Sequence, residues 1–186
     1  ILKFFKIKKI NNIIKKNNKF SIKISFFKHL SYNTKIKIIK KKNTYQLYQN
    51  NKHAIEIKIN NLNIFENNIY KKNRYSLNFN KKTLRYYDNK NLLNSLYLAL
   101  SNLTRYVGTI NPGKYSMVRE ININYNKEFN FVKNKTDIFT IHKDKRIPII
   151  DNKLLHNNFI IEFKTLKRPF LKKKKTTLSK NLIRIV

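Results

Sequence analysis

One histidine and one aspartate lie close enough in this sequence to be considered as an acid–base pair. His142 and Asp144 are separated by a single residue. General acid–base catalysis needs a positioned proton carrier next to a reacting group, and no nucleophile or third polar group accompanies these two side chains. We therefore interpret His142 as a loop histidine with its own hydrogen bond, and we interpret His29, His53 and His156 in the same way.

The rest of the composition removes most other catalytic chemistries. The chain contains no cysteine, four histidines and two glycines. Thiol chemistry, a zinc site and a glycine-rich phosphate loop therefore have no support in the sequence. The nine acidic residues are dispersed along the chain, so that no carboxylate pair suits a catalytic metal ion. The sequence predicts a protein that is not an enzyme, with no catalytic residue, no metal and no cofactor.

The charge of the chain indicates a polyanionic partner. Forty-two Lys and Arg residues stand against nine Asp and Glu, which gives a formal net charge of +33 over 186 residues. Such a chain repels itself unless a polyanion neutralises it. The excess runs along the whole length instead of lying on one amphipathic helix, which favours nucleic acid over a membrane surface.

The first candidate RNA-binding passage runs from Arg105 to Tyr115 and holds both glycines and one of the three prolines. Pro112 and Gly113 fit the two central positions of a type II turn, which predicts a hairpin tip that presents Lys114. We predict Arg105, Lys114 and Arg119 as phosphate ligands.

Two further basic passages complete the predicted RNA interface. The acid-free N-terminal segment contributes lysine pairs, and the second passage follows an apolar strand and contains a run of four lysines. Lysines in such runs cannot pack in a core, so they bind phosphates without reading base sequence. The predicted ligands in these two passages are Lys8, Lys9, Lys15, Lys16, Lys167, Arg168, Lys172, Lys173, Lys174 and Lys175.

Hydrophobic patterning predicts a mainly β protein with one helix. Phe20, Ile22 and Ile24 alternate with polar residues, which is typical of a half-buried strand. Leucines at helical spacing predict a helix at about 91–106, with Gly108 just beyond its end. Short apolar segments follow it, at 106–110, 118–125, 129–141, 159–163 and 182–186. Five short strands predict an OB-like barrel. No repeat period is apparent.

The C-terminal half, residues 105–186, resembles the bacterial-type small-subunit ribosomal protein seventeen family. Gly108 and Lys114 match that family's first strand and hairpin, His142 and Asp144 match its His-Asp pair, and Arg168-Pro169 matches the step before its last strand. The resemblance implies an OB-fold that binds ribosomal RNA. A competing resemblance is to small-subunit protein ten, whose Thr-x-Leu-Arg-Ser-Pro loop is similar to residues 165–169.

The codon usage implied by the composition suggests an organellar gene. Asn, Lys and Ile make up about half of the chain, which is typical of AT-rich codons. The longest stretch without a charged residue, 91–104, is too short and too polar to span a membrane. We therefore predict a location in the mitochondrion, in the ribosome of the matrix, with another organelle as an alternative.

These observations combine into one prediction of domains and function. Residues 1–104 form a basic extension with β segments and the helix, and residues 105–186 form the OB-like RNA-binding domain. The chain is predicted to be a structural constituent of a mitochondrial ribosome, in the small subunit, whose partners are ribosomal RNA and neighbouring ribosomal proteins, with no small-molecule substrate. The alternative is a soluble accessory subunit of a respiratory-chain complex.

Overall fold

The computed structural model describes residues 18–28, 35–60, 74–78, 92–113, 116–129, 131, 135–143 and 146–167. Nine strands and one helix lie within these residues. In chain order they are β1 Lys19–Phe26, β2 Ile36–Lys41, β3 Thr44–Gln49, β4 Lys52–Asn60, β5 Arg74–Asn78, α1 Leu92–Thr109, β6 Ser116–Asn126, β7 Lys135–Lys143, β8 Ile149–His156 and β9 Phe159–Lys167.

All nine strands form one antiparallel sheet in the order β2-β3-β4-β1-β6-β9-β8-β7-β5. The order is symmetric about the central β1·β6 pair, because β4, β3 and β2 follow β1 outwards as β9, β8 and β7 follow β6. In the centre Ile24 pairs with Ile121. The sheet therefore contains two similar four-stranded units, which are joined edge to edge.

Helix α1 packs on one face of the sheet and forms the main core with it. Leu96, Ala99, Leu103 and Tyr106 belong to one buried cluster with apolar residues of both four-stranded units. On β1, the alternating Phe20, Ile22 and Ile24 point into this core and are completely buried. Strand β1 thus turns one side of its pleat towards the core, as period-two patterning requires.

The opposite face of the sheet is more polar and carries ion pairs. Lys58 lies 3.0 Å from Glu56, and Lys153 lies 3.9 Å from Glu162. A small second cluster of Phe139, Leu155 and Ile160 covers part of this face and packs against Phe129 and Phe131.

The predicted OB-like barrel is wrong. Strands β6 to β9 do not close on themselves, because β6 uses its second edge to pair with β1 from the first half of the chain. The segment predicted as a first barrel strand, 106–110, continues helix α1 up to Thr109. Strand β8 was not predicted at all, and the predicted strand at 182–186 lies outside the described residues.

The predicted hairpin at Pro112 and Gly113 is wrong as well. These residues lie in the connection from α1 to β6, where the amide of Gly113 donates to the carbonyl of Val107 over 3.0 Å. Gly113 has a φ of +87°, which favours glycine. Gly108 was expected beyond the helix end, but it is part of the helix.

The predicted division into residues 1–104 and 105–186 stays a prediction, although strands from both parts pair within the single sheet. In the part of the chain that the structure describes, no helix is long and apolar enough to cross a membrane.

Candidate active site

A cleft of about 370 Å³ opens where β1 ends and β6 begins. We call it the β1–β6 cleft. It combines a carboxylate, a hydroxyl and a guanidinium group with several apolar side chains, and it is lined by Ser25, Phe26, Phe27, Met117, Arg119, Glu120 and Leu166. Both four-stranded units contribute to it, so that it forms only when the two halves of the chain meet.

Ser25 contributes a hydroxyl group and Glu120 contributes a carboxylate to the cleft, and the two residues lie on neighbouring strands. They are directly opposite partners in the β1·β6 ladder, and such partners have Cβ atoms about 4.5–5.5 Å apart. The carboxylate of Glu120 accepts from Lys23 over 3.0 Å and from the amide of Asn122 over 3.4 Å. With both oxygens engaged and a side chain that is 23 % exposed, Glu120 is fixed in place yet reachable from solvent.

Arg119 reaches the cleft because it occupies a β-bulge. The pairing of β6 with β9 shifts between Val118, which faces Thr165, and Glu120, which faces Lys164. Arg119 is the extra residue between them, and it is exposed. Bulges re-aim side chains and are common next to binding sites. The cleft thus contains an accessible cation beside the Glu120 carboxylate.

A second group of polar side chains lies beneath helix α1 and forms a buried hydrogen-bond network. The amide of Asn102 donates to the hydroxyl of Thr136 over 2.8 Å, and this hydroxyl lies 3.0 Å from Nδ1 of His156. The same Nδ1 lies 3.2 Å from the backbone carbonyl of Lys135. Three distant segments are thereby tied together under the helix.

Burial gives His156 an unusual protonation equilibrium. Its side chain is fully buried, and desolvation lowers its pKa to about 4, against a small opposing effect of the hydrogen bond to Lys135. The imidazole is therefore neutral at pH 7. Because no solvent reaches it, we interpret this network as structural and regard the cleft as the better site for chemistry.

A further set of hydrogen bonds joins β7 and β8 to the end of the helix. Thr140 lies 3.3 Å from the hydroxyl of Tyr106 and donates to Asn152 over 3.2 Å. Asn152 donates to the carbonyl of Ile150 over 3.2 Å. Buried polar groups need such partners, and here they allow three polar side chains to lie in the protein interior.

The structure places only some of the predicted RNA ligands. Arg105 is exposed on α1, Lys167 is exposed at the end of β9, and Arg119 lines the cleft. The remaining predicted ligands lie outside the described residues: Lys8, Lys9, Lys15, Lys16, Lys114, Arg168, Lys172, Lys173, Lys174 and Lys175. Their roles stay predictions. Sequence reasoning did not select Ser25 or Glu120, and the apolar alternation of their strands was the available signal.

No protein-family model and no curated protein matches the sequence. Among solved structures, the chain is similar to an oleoyl thioesterase (putative) from Lactobacillus plantarum, with a TM-score of 0.53 and 5 % identity over 86 % of this chain and 80 % of that one. This similarity shows that the chain has a hotdog fold.

Two further solved structures are similar at lower TM-scores. A TesB protein from Mycobacterium avium subsp. paratuberculosis has a TM-score of 0.46 and 7 % identity over 80 % of this chain and 78 % of that one. An acyl-ACP thioesterase from Bacteroides thetaiotaomicron has a TM-score of 0.41 and 11 % identity over 83 % of this chain and 79 % of that one.

The comparison with solved structures overturns the ribosomal interpretation. The resemblance to ribosomal protein families is wrong, because the chain has the hotdog sheet and not the barrel that the resemblance implied. The similarity to this solved structure also contradicts the predicted ribosomal function, its respiratory-chain alternative and the ribosomal RNA partner. The predictions of a protein that is not an enzyme and takes no small-molecule substrate are corrected by the same finding. The mitochondrial location stays a prediction.

Proposed function

We propose that this chain hydrolyses acyl thioesters in the β1–β6 cleft. The observation that carries the proposal is the composition of the cleft, where Glu120 and Ser25 stand beside an apolar wall and an exposed cation. The proposal is also supported by the name of the similar Lactobacillus structure, which shares the fold. Carboxylate, hydroxyl and cation correspond to the base, the oxyanion donor and the anion-binding group that such a reaction needs.

In the proposed reaction Glu120 acts as the general base. Its carboxylate takes a proton from water while the water oxygen bonds to the thioester carbonyl carbon, and the carbonyl electron pair moves onto its oxygen. The Ser25 hydroxyl donates a hydrogen bond to this oxyanion. When the oxyanion collapses, the carbon–sulfur bond breaks, and the sulfur receives the proton from Glu120. The products are a carboxylic acid and a thiol.

The remaining lining residues position the substrate. Met117 and Leu166 are cross-strand partners that supply apolar surface for an acyl chain. Arg119 binds an anionic group of the thiol carrier by charge-assisted hydrogen bonds. Lys23 and Asn122 hold the Glu120 carboxylate in its orientation and therefore act as positioning residues.

The test is release of free thiol from an acyl thioester by the purified chain. Because the chain contains no cysteine, a thiol-reactive dye reports only the product. We expect Glu120→Gln to reduce kcat by about 10²–10⁴-fold, the usual contribution of a general base. If the unsubstituted protein released thiol no faster than the substrate hydrolyses without protein, the proposal would be refuted.

Glu128→Gln is the matched control. Glu128 also lies 3.0 Å from a lysine, Lys19, but it is at the other end of β6 and outside the cleft. This variant removes a similar ion pair and should keep full activity. Equal losses in the two variants would indicate that a lost ion pair, and not a lost base, explains the effect.

A further inference from the structure

Three exposed apolar side chains lie at one corner of the sheet. Among the described residues seven large apolar side chains are exposed, and they include Phe27, Ile36 and Ile38 at 59 %, 43 % and 47 %. Phe27 directly follows β1, and the two isoleucines belong to the edge strand β2. Single exposed apolar residues are ordinary on a protein surface, whereas a cluster of them marks a contact surface.

The register of the sheet shows how close these side chains are. A row of paired residues runs from Ile38 in β2 through Leu47 and Ile55 to Phe26, the residue before Phe27. Three strand spacings separate the two ends of this row, which is about 14 Å. The three exposed side chains therefore belong to one small area of the surface.

Stacked rings hold Phe27 in place and connect it with the edge strand. The ring of Phe27 lies 4.8 Å from that of His53, and the ring of His53 lies 5.1 Å from that of Tyr48. Tyr48 in turn is the partner of Lys37 in β2. The amide of Phe27 donates to the carbonyl of Ala54 over 2.9 Å. The exposed ring is thus part of a built surface.

Exposed lysines surround the apolar side chains. They are Lys28, Lys35, Lys37 and Lys52. Residues 1–55 contain no acidic residue, and no acid among the described residues forms an ion pair with these four lysines. We call the four lysines together with Phe27, Ile36 and Ile38 the β2 corner. It combines apolar surface with positive charge that has no acidic partner in the described part of the chain.

The dimensions and the charge of the β2 corner suit an anionic bilayer. Ile36 and Ile38 are about 7 Å apart along the strand, and interfacial segments bury their apolar faces about 5–10 Å deep in a bilayer. Anionic headgroups attract lysines at this depth. Nucleic acid would neutralise the lysines but leave the apolar side chains in water. A second copy of β2 would place like charges opposite each other, which is unfavourable.

We propose that the β2 corner docks on an anionic lipid bilayer, with Phe27, Ile36 and Ile38 inserted among the headgroups and the lysines paired with lipid phosphates. The inference goes beyond the proposed function and does not depend on it, because lipid binding is measured without a thioester. Since Phe27 also lines the β1–β6 cleft, docking places the mouth of the cleft next to the bilayer.

A single tryptophan can report the insertion. The chain contains no tryptophan, so Ile36→Trp introduces the only one. With vesicles of one part phosphatidylglycerol to three parts phosphatidylcholine, we expect its emission to shift to shorter wavelength and to be quenched by brominated acyl chains. Tyr75→Trp is the matched control, because Tyr75 is 37 % exposed on β5, the opposite edge strand of the sheet. The emission of this control should not change.

Three results of the fluorescence experiment would overturn the inference. The first is an unchanged emission of Ile36→Trp in the presence of the vesicles, and the second is an equal response of Ile36→Trp and Tyr75→Trp. The third is a response of Ile36→Trp to polyglutamate but not to vesicles, which would identify an acidic protein segment as the partner.

Charge variants test whether the lysines act locally. Lys28→Gln combined with Lys37→Gln should lower the partition coefficient onto these vesicles about 25-fold, since each lysine near the surface contributes roughly fivefold. Lys40→Gln combined with Lys41→Gln removes the same charge at the other end of β2. That end is more than a screening length of about 8 Å from Lys37, so the loss should be about twofold. Equal losses in the two double variants would mean that net charge alone binds the vesicles, and would overturn the inference.

Discussion

At the scale of single residues, the sequence analysis selected one residue of the cleft, Arg119, as a phosphate ligand of RNA, but it did not select the acid beside it. Arg119 was selected for its charge, and it is exposed in the cleft. Glu120 was passed over because no second catalytic group is near it in the sequence. Its neighbour in the cleft, Ser25, comes from β1, and only the pairing of β1 with β6 brings the two together. Local spacing contains no information on such a pair.

His156 shows the same limit in a buried position. In the sequence it precedes Asn157 and Asn158 and has the appearance of a loop histidine. In the structure it ends β8 and is covered by the residues around Asn102 and Thr136. Its environment is determined by a helix that lies far away in the chain. Burial, and not sequence context, therefore determines its pKa.

The buried His156 makes stability depend on pH. Its pKa is about 4 in the folded chain and 6.5 when unperturbed, so the unfolded state takes up the proton first as the pH falls. The stabilisation is complete above pH 6.5 and decreases towards pH 4. We expect the free energy of unfolding to fall by about 2 kcal/mol between pH 7.5 and pH 5 from this group. Urea denaturation at the two pH values measures it.

Two histidine variants test the origin of this pH dependence. His156→Gln should remove most of the decrease between pH 7.5 and pH 5, although its stability at pH 7.5 is lower. His142→Gln changes an exposed histidine and should keep the decrease. The described carboxyl groups with lowered pKa values, Glu56, Glu128 and Asp137, titrate below this range. A decrease of unchanged size in His156→Gln would contradict the assignment.

At the scale of elements, regular spacing of apolar residues predicted strands correctly, whereas buried polar residues concealed a strand from the sequence analysis. The alternation of Phe20, Ile22 and Ile24 predicted a half-buried strand, and β1 confirms it. Strand β8 was missed because Asp151, Asn152 and Lys153 interrupt its apolar pattern. Asn152 and Lys153 are nevertheless buried. The hydrogen bonds of Asn152 and the ion pair of Lys153 with Glu162 make this possible, and they involve other strands.

The two glycines at the end of helix α1 should respond in opposite ways to a methyl group. Gly108 lies inside the helix with nothing within 4 Å of an added Cβ. Gly108→Ala should therefore raise the free energy of unfolding by about 0.5–1 kcal/mol. Gly113 has a φ of +87° and its nearest atom to a Cβ is 3.9 Å away, so that conformation and not space opposes a side chain.

Gly113→Ala should accordingly lower the free energy of unfolding by about 1–2 kcal/mol. Urea denaturation of both variants beside the unchanged chain provides the measurement. If Gly108→Ala were the destabilising change and Gly113→Ala the neutral one, α1 would end where the sequence had predicted, before Gly108.

At the scale of the whole molecule, the sheet reveals an internal repeat that the sequence did not make apparent. Residues 55–58 read Ile-Glu-Ile-Lys and residues 161–164 read Ile-Glu-Phe-Lys. They occupy corresponding strands, β4 and β9, of the two four-stranded units. The partners opposite the two glutamates also correspond, since Gln46 faces Glu56 and Lys153 faces Glu162. Three identical residues in four positions are too few to stand out among so many Ile and Lys residues, so the repeat emerges only from the topology.

The net charge of the whole chain should make its stability increase with salt. Even if every acid paired with one cation, 33 of the 42 cations would have no acidic partner, so repulsion dominates over ion pairing. Raising the ionic strength from 0.01 M to 0.15 M shortens the screening length from about 30 Å to about 8 Å. We expect the Tm in potassium chloride to rise by about 2–4 °C for each kcal/mol of repulsion removed. Calorimetry at the two salt concentrations tests this prediction. A Tm that falls with salt would mean that the ion pairs of Glu56, Glu120, Glu128 and Asp137 stabilise the fold by more than the repulsion between the other cations destabilises it.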